Sequence, residues 1–509
     1  MPDDIANAPA GRFRGETLPS GARVWRGIRY AEPPTGDARW RDPRPAAPAD
    51  DVIDAVRFGA AAPQNTNPAI DLGPDAVFAE DCLFLNVWSP ADADPAGLPV
   101  MVWVHGGAYT FGSGSQPLYD GEALAARGTV VVTINYRIGA LGFLDLSAKS
   151  TDAHPFDGNL ALKDVLCALE WVRENIASFG GDPERVTVFG ESAGAGLVTT
   201  LLAVPRAEGL FSRAIAESSP VSSVYDAARA SSVTDLFLDL VGESDPAALR
   251  DVAVDRIVQA GTRVFAEIPA RHPGTIAFGP VIDGDLLPEA PDAVLAAGRG
   301  LPVPLLIGTN HDESSLFRMM KSPLLPIHED DIDRMMADLA AERPDVPIPP
   351  KQQILEAYEG VRHREIGLGI ARDIGFRMPT LWAVEGHARR APVWLYRFDH
   401  ATPMLHALRI GATHATELPY VWGTFGRRAH DLTFRLGGRR TAEAISERMQ
   451  QRWVAFAAGE EPNAEGGPAW PAFDAQERAT LVIDTHDRVV PDLDGALRAG
   501  WGKTPLAFP

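Results

Sequence analysis

Lysine is nearly missing from this chain: it occurs only at Lys149, Lys163, Lys321, Lys351 and Lys503, so arginine supplies most of the 47 basic residues. We read that shortage as codon usage. Against 68 Asp and Glu the formal net charge is −21, a field that repels phosphate backbones and anionic lipid and excludes nucleic acid as a partner. Cysteine is scarcer still. Cys82 and Cys167 stand alone in 509 residues, too few for a disulfide framework, so two buried free thiols and a cytoplasmic location are expected. No uninterrupted apolar run approaches the ~18 residues of a transmembrane helix, and the acidic, polar stretch Met1 to Arg14 lacks the pattern of a signal peptide. No membrane association is expected.

What is present is a large core in prospect, with 45% of residues hydrophobic and 23% charged, which rules out disorder. Short apolar runs alternate with segments of helical period, the pattern of an α/β fold with a mainly parallel sheet covered by helices. The strand candidates are Leu83 to Trp88, Val100 to His105, Val130 to Asn135, Val186 to Gly190, Arg213 to Glu217, Val303 to Gly308, Val393 to Phe398 and Leu481 to Asp484. Several are Val/Ile/Leu-rich without alternation, as strands buried on both faces should be. Between Asn159 and Phe179 the apolar residues recur at three and four, predicting a helix on the sheet with Asn159 as its cap. Residues 221–274 and 322–390 read as amphipathic helices inserted over the carboxyl edge of one domain spanning 1–509, and a monomer is expected. Asp283 and Asp285 read as turn residues.

Chemistry enters at Gly190-Glu191-Ser192-Ala193-Gly194, directly after a strand and before a helical run. A bare G-x-S-x-G string is weak evidence, but this one sits in the context of a nucleophile elbow: the serine occupies a sharp strand-to-helix turn whose flanking glycines leave room for it. A second signal is His105-Gly106-Gly107-Ala108 at the end of the strand Val100 to Val104. Small residues there leave backbone N–H groups free to point into a pocket, and Gly107, Ala108 and Ala193 are the candidate oxyanion donors. A serine nucleophile needs a base and an acid, expected in the order serine, acid, histidine. Among the histidines that follow Ser192, His414 stands out because Gly411-Ala412-Thr413 leaves its ring unwalled. For the acid, Asp312 and Glu313 both follow the strand candidate Val303 to Gly308 and stay open on position alone.

The ordered motifs identify a resemblance. Gly27-Ile28-Arg29-Tyr30-Ala31-Glu32-Pro33-Pro34, Glu80-Asp81-Cys82-Leu83-Phe84-Leu85-Asn86-Val87, His105-Gly106-Gly107, Asn135-Tyr136-Arg137-Ile138-Gly139, the Phe179 to Gly194 block, Asp312-Glu313 and Gly459 to Asn463 run nearly end to end. Together they resemble the type-B carboxylesterases, an α/β-hydrolase family that includes bacterial nitrobenzyl esterases and, more distantly, the cholinesterases. The resemblance implies Ser192 as nucleophile, Glu313 rather than Asp312 as acid and His414 as base. It also implies bracing ion pairs, Arg39 with Glu80 and Arg137 with Asp164, and a supporting serine at Ser218. It departs from the pattern where no cysteine precedes Cys82, where 61–79 lacks the Trp that holds choline, and where Glu217 and Val165 each replace a usual Gln.

The expected activity is hydrolysis of uncharged esters with short to medium acyl chains through an acyl-enzyme, with a small-molecule ester as the partner and no metal or organic cofactor. Substrate choice is assigned to Tyr109, Phe111, Phe317 and Trp422. Because the base must be neutral, the rate should fall on the acid side of the ordinary imidazole range. The filled positions Ser192, Glu313 and His414 argue against a non-catalytic binding protein on the same scaffold. Carbamates, lactones and amides share the acylation steps and stay open as substrates.

Overall fold

A computed structural model describes residues 4–91, 97–344, 346–425 and 433–506. Its main sheet has eleven strands: β1 (Glu16–Thr17), β2 (Arg23–Arg29), β3 (Phe84–Ser89), β4 (Leu98–Val104), β5 (Val130–Ile134), β6 (Gly181–Glu191), β7 (Arg213–Glu217), β8 (Leu305–Asn310), β9 (Val393–Phe398), β10 (Thr480–Ile483) and β11 (Arg488–Val490). Their spatial order is β11-β10-β9-β8-β7-β6-β4-β5-β3-β2-β1. The run from β5 to β10 is parallel, while β1, β2, β3 and β11 pair antiparallel at the two ends. A small sheet of Ile5–Ala8, Gly11–Arg14 and Val52–Asp54 lies apart from it. Every strand expected from the sequence is present; β1, β2, β11 and the small sheet are additions.

The chain builds outward from β4 in one direction and from β6 in the other, so the strand order reverses between these two neighbours. In an open α/β sheet that switch point opens a crevice at the carboxyl ends of the strands, where ligands bind. The loops that leave β4 and β6 carry His105-Gly106-Gly107-Ala108 and Ser192.

Side-chain alternation splits the core. Val100, Val102 and Val104 of β4 join one apolar cluster with Val186 and Val188, while Met101 and Trp103 point into a second with Phe189 and Ile215. The first face is covered by the helix Leu160–Asn175, whose Leu162, Val165, Leu166, Leu169 and Val172 are buried. Asn159 does occupy the N-cap position but caps nothing: it adopts a left-handed conformation with no side-chain bond to the helix. Its amide instead holds Val281, accepting from the Val281 N–H at 2.8 Å and donating to the Val281 carbonyl at 2.8 Å. Long-range polar pairing outcompeted the local cap.

The segment 221–274 contains the helices Ala227–Val241, Pro246–Leu249 and Val254–Arg271. Within 322–390 the helices are Glu329–Glu342, Lys351–Glu356, His363–Arg372 and Met378–His387. The last of these is buried along nearly its whole length and packs against β8 and β9, so the amphipathic reading of this stretch fails there. Two ion pairs brace the loops. Arg39 grips Glu80 through two bonds of 2.6 Å and donates to the carbonyls of Arg250 and Val252, tying the 80s loop to the inserted helices. Arg137 pairs with the fully buried Asp164 at 2.6 and 2.8 Å. Asp283 accepts from the N–H groups of Asp285 and Leu287, as a turn residue should. Cys82 and Cys167 are free and buried.

Candidate active site

Ser192 sits where β6 gives way to the helix Ala193–Leu201, with φ 55° and ψ −127°. A non-glycine residue pays strain for such a backbone, and the surroundings must hold it there. They do so by close packing: a Cβ on Gly194 would lie 2.0 Å from the Val104 carbonyl oxygen, and one on Gly190 would lie 2.7 Å from the backbone of Gly194. The Ser192 N–H donates to the Glu217 carbonyl at 2.9 Å, fixing the turn to β7. The hydroxyl stays accessible at the positive end of the following helix.

The neighbouring strands deliver the rest. His414 Nε2 lies 2.8 Å from Ser192 Oγ, and its Nδ1 lies 2.7 Å from Glu313 Oε2. The other carboxylate oxygen of Glu313 accepts from Ser218 Oγ at 2.6 Å and from the Asn310 N–H at 2.7 Å. Asp312 turns away, lying 3.1 Å from His311 Nδ1 and accepting from the Ala412 N–H. The loops that carry Glu313 and His414 are stitched together. The Asp312 N–H donates to the Ala412 carbonyl at 2.8 Å, Asn310 Nδ2 to the Thr413 carbonyl at 2.8 Å, and the Leu316 N–H to Thr413 Oγ1 at 2.8 Å.

Facing Ser192 across the switch point, Gly107 (φ 121°), Ala108 (φ 51°) and Tyr109 (φ 57°) all take positive φ. The Gly107 carbonyl is used by the N–H groups of Thr110 and Phe111, while the N–H groups of Gly107, Ala108 and Ala193 meet no acceptor among the described residues. Such a run leaves donors free for an anion. His105, beneath them, is buried, bonded through Nδ1 to the Gly106 carbonyl at 2.9 Å and stacked on Tyr136. Desolvation lowers its pKa to about 4, so it adds no charge at neutral pH.

The four side chains assigned to substrate contact separate into two pairs. Phe317 is half-buried with its ring 5.2 Å from the His414 imidazole, and Phe111 meets Phe265 edge-on at 5.3 Å. Tyr109 and Trp422 are corrections. Tyr109 is 1% exposed and wedged under the elbow: a Cβ on Gly196 would lie 2.2 Å from its hydroxyl. Trp422 is 0% exposed, packed on Trp103, Tyr119 and Phe189 in the second core cluster. Neither can touch a bound ester. Phe376, which the sequence did not single out, lies 4.7 Å from the imidazole, and Phe265 also escaped notice. Phe376 is carried by a π-helical turn, Asp373–Arg377, a local register that residue spacing does not announce.

Three further glutamates are buried behind this constellation. Glu191 Oε1 is 3.2 Å from His414 Nε2 but outside hydrogen-bonding geometry. Glu217 accepts from Trp453 Nε1 at 2.7 Å, and Glu417 accepts from Asn310 Nδ2. Desolvation, followed by repulsion from neighbouring carboxylates, raises the pKa of Glu191 and Glu417 well above the usual range. Desolvation raises that of Glu217 to about 8 despite the Trp453 bond. Protonated carboxyls spare the site a concentrated negative charge beside Glu313.

This has a measurable consequence. The folded protein holds a proton on Glu217 between pH 4.5 and 8 that the unfolded chain releases, so stability falls as pH rises through that window. The cost is about 1.4 kcal/mol per pH unit for one such group. Glu217→Gln keeps an acceptor for Trp453 without the titration. Thermal unfolding at pH 6 and pH 8 should show a smaller loss of Tm in the variant than in the parent; equal losses would assign the slope elsewhere.

Among the described residues no cluster of three or more His, Cys, Asp or Glu is arranged to hold a metal ion, and no helix is long and apolar enough to cross a membrane. A model of the carboxylesterase family matches residues 2–497. The para-nitrobenzyl esterase of Bacillus subtilis (strain 168) is 36% identical, covering 98% of each chain. The phenmedipham hydrolase of Pseudarthrobacter oxydans is 32% identical over 96% of this chain and 97% of its own. Among solved structures, a PNB esterase superposes with a TM-score of 0.84 at 34% identity, over 98% of this chain and 100% of its own.

Proposed function

The chain belongs to the carboxylesterase family, has the α/β-hydrolase fold and is a carboxylic ester hydrolase, and from that premise we propose that Ser192, His414 and Glu313 are its catalytic triad. The observation that carries this is the unbroken path from Ser192 Oγ through the imidazole to Glu313, with steps of 2.8 and 2.7 Å.

His414 takes the Ser192 proton as Oγ attacks the ester carbonyl. The carbonyl oxygen becomes an oxyanion within reach of the N–H groups of Gly107, Ala108 and Ala193, each worth roughly 3–4 kcal/mol to the transition state. Glu313, its other oxygen engaged by Ser218 and Asn310, accepts from Nδ1–H and stabilises the imidazolium. The C–O bond to the alcohol breaks, His414 protonates the leaving alkoxide, and the acyl group stays on Ser192. Water then attacks with its proton passing to the same nitrogen, releasing the carboxylic acid and restoring the hydroxyl.

Phe317 and Phe376 flank the His414 imidazole, and we read them, with the Phe111–Phe265 pair, as the apolar lining of the approach to Ser192, which suits uncharged esters of short to medium acyl chain. The unpaired Cys82 and Cys167 accord with a cytoplasmic location, and we read the helices within 221–274 and 322–372 as the cap over the site. With p-nitrophenyl acetate in excess, stopped-flow absorbance should show a burst of one equivalent of p-nitrophenolate when deacylation is the slower step. In a series from acetate to palmitate, kcat/KM should peak at or below octanoate; a preference for palmitate would contradict the acyl-chain reading.

A further inference from the structure

A cavity of about 520 Å³ opens beside the acid loop, between the helix Ser315–Met320, the helix His363–Arg372 and the segment at Arg409. His311, Asp312 and Ser314 line it, so its wall includes the residues on both sides of Glu313, yet neither Ser192 nor His414 borders it. Its size falls in the range of ordinary small-molecule sites.

The charges around it are unequal in their partners. Asp312 is taken up by His311 and the Ala412 N–H, and Glu365 lies 3.8 Å from Arg362. Arg372 is held by the fully buried Asp373 at 2.6 and 2.9 Å. Arg318 and Arg409 also line the cavity, are exposed, and make no side-chain hydrogen bond or ion pair among the described residues. In a chain of net charge −21, two unpaired guanidinium groups at one opening are a feature that calls for an anion, and their planar forks match a carboxylate.

The same wall is apolar in part: it carries Val361, 42% exposed, and the half-buried Leu368, side chains on which an aliphatic chain can lie.

We propose that this cavity binds an aliphatic monocarboxylate, its carboxylate held by Arg318 and Arg409 and its chain laid over Val361 and Leu368. Two free cations suit one carboxylate better than a polyanion, and the apolar wall gives the chain a place that a small inorganic ion would leave bare. The site is separate from the catalytic machinery, and the proposal does not depend on the reaction assigned to Ser192.

Calorimetric titration of the full chain with sodium decanoate, below its micellar concentration and at low ionic strength, tests this. Saturable binding is expected, at least ten-fold weaker in the Arg318→Gln/Arg409→Gln protein and at least ten-fold weaker for decanol than for decanoate. Arg409→Gln alone, on an exposed segment, should weaken decanoate measurably and serves if the double variant folds poorly. No saturable binding, equal affinity in parent and both variants, or equal affinity for decanol and decanoate would overturn the proposal.

Discussion

Glu313→Gln is expected to lower kcat about 10⁴-fold with little change in KM, a size that follows from placing the imidazole in the wrong tautomer. The direction is set by the far side of the carboxylate. Oε1 accepts from both Ser218 Oγ and the Asn310 N–H, so the amide of a glutamine must put its carbonyl oxygen there. Its NH₂ group then faces His414 Nδ1 at the position now occupied by Oε2. Nδ1 must accept, Nε2 must carry the proton, and Nε2 can no longer take the proton of Ser192. Steady-state kinetics with p-nitrophenyl acetate check this. A loss under ten-fold would mean that Glu313 does not orient the base. A second variant, Ser218→Ala, removes one of the two donors to Oε1 and should cost far less than the amide.

The second large effect is expected on the opposite side of the serine. A Cβ on Gly107 would lie 2.1 Å from the Phe111 carbonyl oxygen, and Gly107 holds φ at 121°. Gly107→Ala therefore forces the loop to move, and the N–H groups of Gly107 and Ala108 move with it. Removing one oxyanion donor costs about 10²–10³ in kcat, so displacing two should cost at least 10³. Because the loop is half-exposed at Gly107 and Ala108, the variant should still fold, which thermal unfolding verifies. Unchanged kcat in a folded variant would remove Gly107 and Ala108 from the oxyanion role.

These residues were legible in the sequence to different degrees, and the reasons are physical. β5 reads directly because Val130, Val131, Val132 and Ile134 are buried on both faces of a parallel sheet, and few other environments favour an unbroken β-branched run of that length. β2 escaped notice because Arg23, Arg26 and Arg29 interrupt it. Arg26 and Arg29 find their ion-pair partners in Glu16 and Asp81, which a local pattern does not reveal. Ser192 and Gly107 were readable because a turn with positive φ and a close backbone approach demand specific small neighbours.

Side-chain direction was not readable. Trp422 follows His414 closely in the chain, but the short helix Leu418–Trp422 turns its ring into the second core cluster. Phe376 reaches the imidazole from a π-helical turn nearly forty residues upstream. Glu217 stood out only as an unusual residue; its burial, its bond to Trp453 and its raised pKa follow from strands that meet only in the fold.

Ser192 as a nucleophile activated by His414 is tested by reaction of the intact protein with a fluorophosphonate, followed by mass measurement and peptide mapping. One adduct per chain is expected, on the peptide containing Ser192, and almost none under the same conditions in His414→Ala. Folded protein that stays unlabelled, or an adduct mapped to any other residue, would contradict it.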